Sequence, residues 1–140
     1  SGGARFDIQI DVDGRNVKLA MSRFAGGEPV VEEAEASSGS SQHNESTTGY
    51  NTVNELVIEV PSGVDEGILS ELMHRVANQG DDLSAEIRIV ARGKDGSVIV
   101  ERLYGTCRLV SLELGSFHLD TPRQTPMLKA TFQPEQLSVQ

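Results

Sequence analysis

The stretch from Glu55 to Tyr104 constrains the chain most, because it reads as strand, helix, strand, turn and strand in direct succession. The apolar run Leu56-Val57-Ile58-Glu59-Val60 stops at Pro61, a residue without an N–H for a ladder. Start and stop signals for a helix follow. Ser62 or Asp65 can cap it, Asp65 and Glu66 suit its positive end, His74 and Arg75 suit its negative end, and Gly80 can terminate it. Ile68, Leu69, Leu72, Met73 and Val76 recur at helical spacing, so this helix is expected to pack one apolar stripe on a sheet. Glu86–Arg92 and Ser97–Tyr104 then alternate around Gly93-Lys94-Asp95-Gly96, a hairpin signal.

The flanking sequence is also strand-like. Phe6, Ile8, Ile10 and Val12 alternate with Asp7, Gln9, Asp11 and Asp13, a period of two that predicts a half-buried strand with one acidic face. Asp13-Gly14 offers the positive-φ pair of a tight turn, and a second strand over about Asn16–Phe24 is expected to fold back on the first. Cys107–Leu114 predicts a further strand. Met127–Phe132 predicts a last one, which Pro134 assigns to an edge or a terminus and not to a central position. Only 4% of residues are aromatic and none is Trp, so the core must come from Val, Ile and Leu, which favours sheet over a helical bundle.

Between Pro29 and Asn54 the pattern dissolves into Glu32, Glu33, Glu35 and a polar run through Ser41 to Thr48. Such a run buries too little apolar surface to offset its ordering entropy, and composition alone predicts a solvated loop. A loop this long in a compact domain is either functional or orders only against a partner. The expected architecture is one domain over residues 1–140: mainly β with some α, an antiparallel β-sandwich or barrel with one flanking α-helix and a long extended loop at 29–54.

The same residues exclude much chemistry. A formal charge of −9 without a Lys/Arg cluster argues against a nucleic-acid-binding surface. No apolar run is long enough to span a bilayer, and no basic segment precedes an apolar signal core, which predicts a chain cytoplasmic in origin that does not insert in a membrane. Cys107 is the only cysteine, and its β-like surroundings predict an inert, buried thiol. Asp11-Val12-Asp13-Gly14 lacks the further ligands of a calcium loop. His43, His74 and His118 are not spaced to bind a metal together. Neither a nucleophile elbow nor a phosphate-cradling glycine loop occurs. No catalytic residue, metal site or cofactor is expected.

The order of these elements carries a resemblance. A first strand ending in Ile10-Asp11-Val12-Asp13-Gly14, a long polar loop, an apolar strand, a helix, a strand–Lys94-Asp95-Gly96–strand unit containing Val98-Ile99-Val100-Glu101-Arg102-Leu103-Tyr104, and then Leu119-Asp120-Thr121-Pro122 before a final strand resembles the tail-tube proteins of contractile-tailed bacteriophages. It is more distantly similar to the Hcp tube protein of type VI secretion. The resemblance covers about Phe6 to Leu137 and implies homohexameric rings stacked into a hollow tube in a virion tail, assembled in the host bacterial cytoplasm. Its partners would be the tail sheath, baseplate and tape-measure proteins, with DNA in transient, non-specific passage. On that view Asp7, Gln9, Asp11 and Asp13 are candidate lumen-facing residues, whose like charge would keep DNA from adhering. Gln42, His43, Asn44 and Tyr50 are candidate inter-ring contacts. The alternatives are a tube component of a type VI or other contractile injection system and, from another class, a small β-sandwich module that binds a ligand with its 29–54 loop.

Overall fold

The computed structural model describes residues 5–19, 22–31, 47–61, 71, 74, 75, 78, 84–114 and 127–140. Among the described residues nine antiparallel strands make one sheet: β1 Arg5–Val12, β2 Arg15–Leu19, β3 Arg23–Gly26, β4 Thr48–Tyr50, β5 Leu56–Pro61, β6 Ala85–Arg92, β7 Val98–Leu114, β8 Met127–Gln133 and β9 Gln136–Val139. Their order is β2-β1-β6-β7-β8-β5-β3, with β9 also on β7 and β4 on β9.

Strand β7, 17 residues long, is the hinge of this arrangement. Its first part pairs with β6 on one side and β9 on the other, through Ile87↔Tyr104 and Tyr104↔Leu137. Its last part pairs with β8, from Arg108↔Gln133 to Leu114↔Leu128. Between them Thr106 has φ of 52°, and the strand passes there from one ladder into the other, exchanging β6 and β9 for β8. Two strands, Ser97–Tyr104 and Cys107–Leu114, were expected. The single bent strand differs because the left-handed residue absorbs the change of direction.

The alternating residues of both ladders point into a common core. Ile8, Ile10, Ile87, Ile89 and Tyr104 meet Leu56, Ile58, Leu128 and Phe132 there, all buried, and each such side chain contributes roughly 1.5–3 kcal/mol through removal from water. Phe132 lies on a strand flanked by both β5 and β7, opposite Leu56 and Leu109. Strand β8 is therefore interior and not the edge that Pro134 implied. Pro134 falls just after it, in the turn to the unanticipated β9, where no ladder N–H is needed.

Both predicted hairpins form. Asp13 and Gly14 have φ of 54° and 79°, the pair a two-residue turn requires, between the partners Val12 and Arg15. In the other, Asp95 Oδ1 accepts from the Ser97 amide at 3.0 Å and the Ser97 hydroxyl at 2.6 Å, which holds its carboxyl below the usual carboxylate range.

Several expectations are corrected. The run Asn16–Phe24 is not one strand: β2 ends at Leu19, and Arg23 begins β3, which pairs with β5 in the other ladder. The sheet is not a closed barrel, since its order runs out at β2 and β3, which are short edges carrying the exposed Arg15, Lys18 and Arg23. A flanking helix over 62–80 is not among the described elements. Of that span Glu71, His74, Arg75 and Asn78 are described, each helical, whereas Ile68, Leu69, Leu72, Met73 and Val76 lie outside the described residues. The segment 29–54 is not loop throughout. Its ends are paired by the Pro29↔Val53 bridge, by Val30 N–H to Thr52 O at 2.9 Å and by Asn54 N–H to Glu28 O at 2.9 Å, and β4 lies within it.

The entry to that segment is held from the core. The Tyr104 hydroxyl donates to the Gly27 carbonyl at 2.8 Å and accepts from Arg102 Nη1 at 3.2 Å, so this buried phenol is satisfied on both sides. Burial pushes its pKa above the ordinary value, with the neighbouring Arg102 acting the other way. Gly27 has φ of 76°, and a Cβ there would stand 2.6 Å from the Tyr104 hydroxyl and 2.9 Å from Leu56 Cδ1. Gly27→Ala is accordingly expected to cost about 1–3 kcal/mol, read as a lower urea midpoint. Combining it with Tyr104→Phe should cost less than the sum of the two single changes, since the hydroxyl that the new methyl meets is gone.

Candidate assembly surface

The outward side of the ladder containing β1, β6 and β7 is polar and built in register. On β1 the residues between the buried Ile8, Ile10 and Val12 are Asp7, Gln9 and Asp11, and all three stand partly exposed on this face. On β6 the corresponding residues are Glu86, Arg88 and Arg92, around the buried Val90. Pairing Asp7↔Val90, Gln9↔Arg88 and Asp11↔Glu86 puts the two rows side by side.

This register decides the electrostatics. Arg92 Nε donates to Asp7 Oδ2 at 2.7 Å, and Arg88 Nε donates to Glu101 Oε2 across the next pair of strands. Exposed pairs of this kind contribute about 0–1 kcal/mol each, but they change the character of the face. It carries both signs, with Lys18 on β2 adding another cation, and is not the uniformly acidic strip that β1 alone implies. Gln9, Asp11, Asn16, Glu86, Arg88 and Leu103 line a shallow polar depression of about 170 Å³ in it.

Asp13 leaves this row. It occupies the β1–β2 turn, where its carboxylate accepts from Arg75 Nη2 at 2.6 Å, and the neighbouring Arg15 reaches Glu71 Oε1 at 2.9 Å. These crossed ion pairs tie the turn to two helical residues. Tyr50 lies on β4, opposite Leu137, partly buried and packed against the core. Gln42, His43 and Asn44 lie outside the described residues.

The basic partners Arg88, Arg92 and Lys18 escaped the reading of the acidic strand. A signal existed, since Glu86, Arg88 and Arg92 sit at alternate positions of their own strand, but only the pairing of β1 with β6 brings them beside Asp7 and Asp11. A second feature was not anticipated at all. At the end of the core where β1 begins, an apolar cleft of about 510 Å³ opens between the ladders. Phe6, Ile89, Ala91 and Val100 form one wall and Phe24 and Gly26 the other, with Arg102 and Glu28 as its charged members. Phe6 and Phe24 meet edge to face across it, their ring centroids 5.1 Å apart.

Among the described residues no three His, Cys, Asp or Glu side chains converge to hold a metal ion. Cys107 is wholly buried, its thiol 3.5 Å from the Tyr104 carbonyl, and burial pushes its pKa up to about 12. A thiol so placed stays protonated and unreactive while the protein is folded.

By sequence, no family model and no curated protein matches the chain. By structure, it is similar to a chain of the anti-feeding prophage (AFP) baseplate, at 11% identity and a TM-score of 0.69, covering 97% of this chain and 92% of the other. The fold is that of the Hcp-like tube proteins. A chain of the PVC extracellular contractile injection system, from its sheath–tube complex in the extended state, aligns with a TM-score of 0.62 at 11% identity over 95% of this chain and 87% of the other. Hcp1 from Salmonella typhimurium aligns with a TM-score of 0.53 at 11% identity, over 95% and 85%. The Hcp-like fold thus extends over nearly the whole chain.

Proposed function

We propose that this chain is the tube subunit of a contractile injection apparatus, a structural protein and not an enzyme, which assembles as homohexameric rings stacked into a hollow conduit. The observation that carries this reading is the Hcp-like fold over 97% of the chain, with a wide sheet whose one face forms the core and whose other face is polar. Such a sheet suits a wall with water on its far side. Asp7, Gln9 and Asp11 would then face the lumen together with Arg88 and Arg92, giving a lining of mixed sign that favours passage over adhesion. Gln42, His43 and Asn44 would make contacts between rings, and one flanking helix over 62–80 would pack through Ile68, Leu69, Leu72, Met73 and Val76.

In a phage tail the conduit would pass DNA, with sheath, baseplate and tape-measure proteins as partners, and the subunits would assemble in the host cytoplasm. The similarity to a chain of an extracellular contractile injection system and to Hcp1 supports a second reading, a tube component of a type VI or other contractile injection system. Negative-stain electron microscopy of the purified protein over a concentration series, with light scattering for mass, tests the shared claim. Hollow rings or tubes are expected, and a monomer at every concentration would overturn it. Deleting Ser37–Thr48 should yield rings or monomers but no long tubes, whereas tubes of normal length would remove this segment from the contact between rings.

A further inference from the structure

In the ladder β7-β8-β5-β3, the outer side of β3 and residues 108–114 of β7, on the side away from β8, have no strand partner among the described residues. Such edges present backbone N–H and C=O groups that a further strand can take up. The rows of side chains that cross this ladder end at both edges, and the ends match. Arg23, Glu59, Lys129 and Glu113 are successive partners across the four strands, so this row alternates in charge, with a cation at the β3 end and an anion at the β7 end. Arg23 bonds Glu59 at 3.3 Å, yet its side chain is 68% exposed, and Glu113 is exposed at the far end. The next row, Phe24, Ile58, Ala130 and Leu112, is apolar. Its inner members are buried, whereas Phe24 and Leu112 at the ends are only partly covered by the core. A third row begins at Ala25 and ends at Ser111, both small and exposed.

We infer that the β3 edge of one copy pairs with the 108–114 edge of a second copy, Arg23 against Glu113, Phe24 against Leu112 and Ala25 against Ser111. The inference rests on the tube reading and deepens it by naming a contact that joins subunits. Three consecutive positions meet in one antiparallel register: opposite charges, two half-covered apolar side chains and two small ones. A slip of one residue faces Phe24 with Glu113 or Ser111 and loses all three matches, so the side chains specify the register. Strand direction agrees as well. Neighbours in this ladder are antiparallel and number four, so β3 and β7 run in opposite senses, and a copy added in the same orientation continues the alternation. The two edges lie on opposite sides of the ladder, which makes the contact head-to-tail, the kind that closes into a ring or runs on as a filament.

The test uses the full chain carrying Ala25→Cys and Ser111→Cys together, and each alone, with mild oxidation of the assembled protein. Within one chain these positions are three strand spacings apart, about 14 Å, too far for a disulfide, whereas opposite positions on paired strands are within reach. Cys107 is buried and does not compete. Expected is a series of covalent multimers beyond the dimer from the double variant, and nothing beyond the dimer from either single one. Separately, Arg23→Glu and Glu113→Arg should each raise the concentration needed for assembly at least tenfold, and the two combined should bring it back near the wild-type value. The combined variant keeps the like-charge neighbours that each change creates beside Glu59 and Lys129, so its recovery reports the contact between copies and not the fold. In wild-type protein that assembles, a double cysteine variant that stops at the dimer, or a combined charge variant that fails to recover, would overturn the edge contact and leave the tube reading standing. Wild-type protein that never assembles would overturn both.

Discussion

Phe132→Ala is expected to lower the stability of this protein by about 3–5 kcal/mol, the range for removing a fully buried aromatic ring from a packed core. The ring has no exposed surface, and its strand is bonded on both sides, to β5 through Leu56 and to β7 through Leu109. A strand held on both edges cannot move in to fill the void, so little of the cavity cost is recovered. Equilibrium urea unfolding measures the loss. A cost below about 1.5 kcal/mol would mean that β8 is an edge able to collapse, as Pro134 taken alone implies. Phe6→Ala supplies the contrast, because that ring is half exposed at the cleft and its removal should cost much less.

The second large effect is alkaline destabilisation through Cys107. The thiol has an ordinary value of 9.0 and is raised by burial to about 12 in the folded protein. A group whose folded pKa lies above its unfolded value contributes stability that is complete below the unfolded value and is lost as pH rises towards the folded one. The loss therefore begins near pH 9 and continues to about pH 12, and a shift of this size corresponds to about 4 kcal/mol when complete. Tyr104, also raised by burial, adds to the loss above its ordinary value of 10.0. Urea midpoints between pH 7 and pH 10.5 should fall steeply for the wild-type protein and less steeply for Cys107→Val. Parallel pH profiles for the two proteins would refute the assignment. A thiol reagent provides an independent reading, since Cys107 should react no faster than the protein unfolds.

How much of this was legible in the chain follows from the range of the interactions involved. The alternation in Phe6–Val12 and Glu86–Arg92, the positive-φ turn at Asp13-Gly14, the Gly93–Gly96 hairpin and the buried state of Cys107 are local, governed by the pleat period, by turn sterics and by an apolar setting. Those expectations describe the strands well. The neighbours of each strand are another matter. Nothing within Met127–Phe132 marks it as central, because its position depends on Leu56–Pro61 and the end of β7 pairing from opposite sides. Strand β9 is only Gln136–Val139, too short for its period to stand out, and exists because β7 offers it a free edge.

The candidate surface divides in the same way. From the sequence came Asp7, Gln9 and Asp11 on one side of a strand, because side chains on a pleat alternate. Tertiary structure alone decided that Arg92 and Arg88 stand among them, that Asp13 turns away to Arg75, that Tyr50 packs on the core, and that Phe6 and Phe24 frame a cleft with Arg102 beside it. Which way a residue faces is a property of the backbone a few residues long. What it faces depends on pairings across 80 or more residues, such as Asp7 with Arg92, separated by 85 positions, and these are set by the joint packing of the whole core.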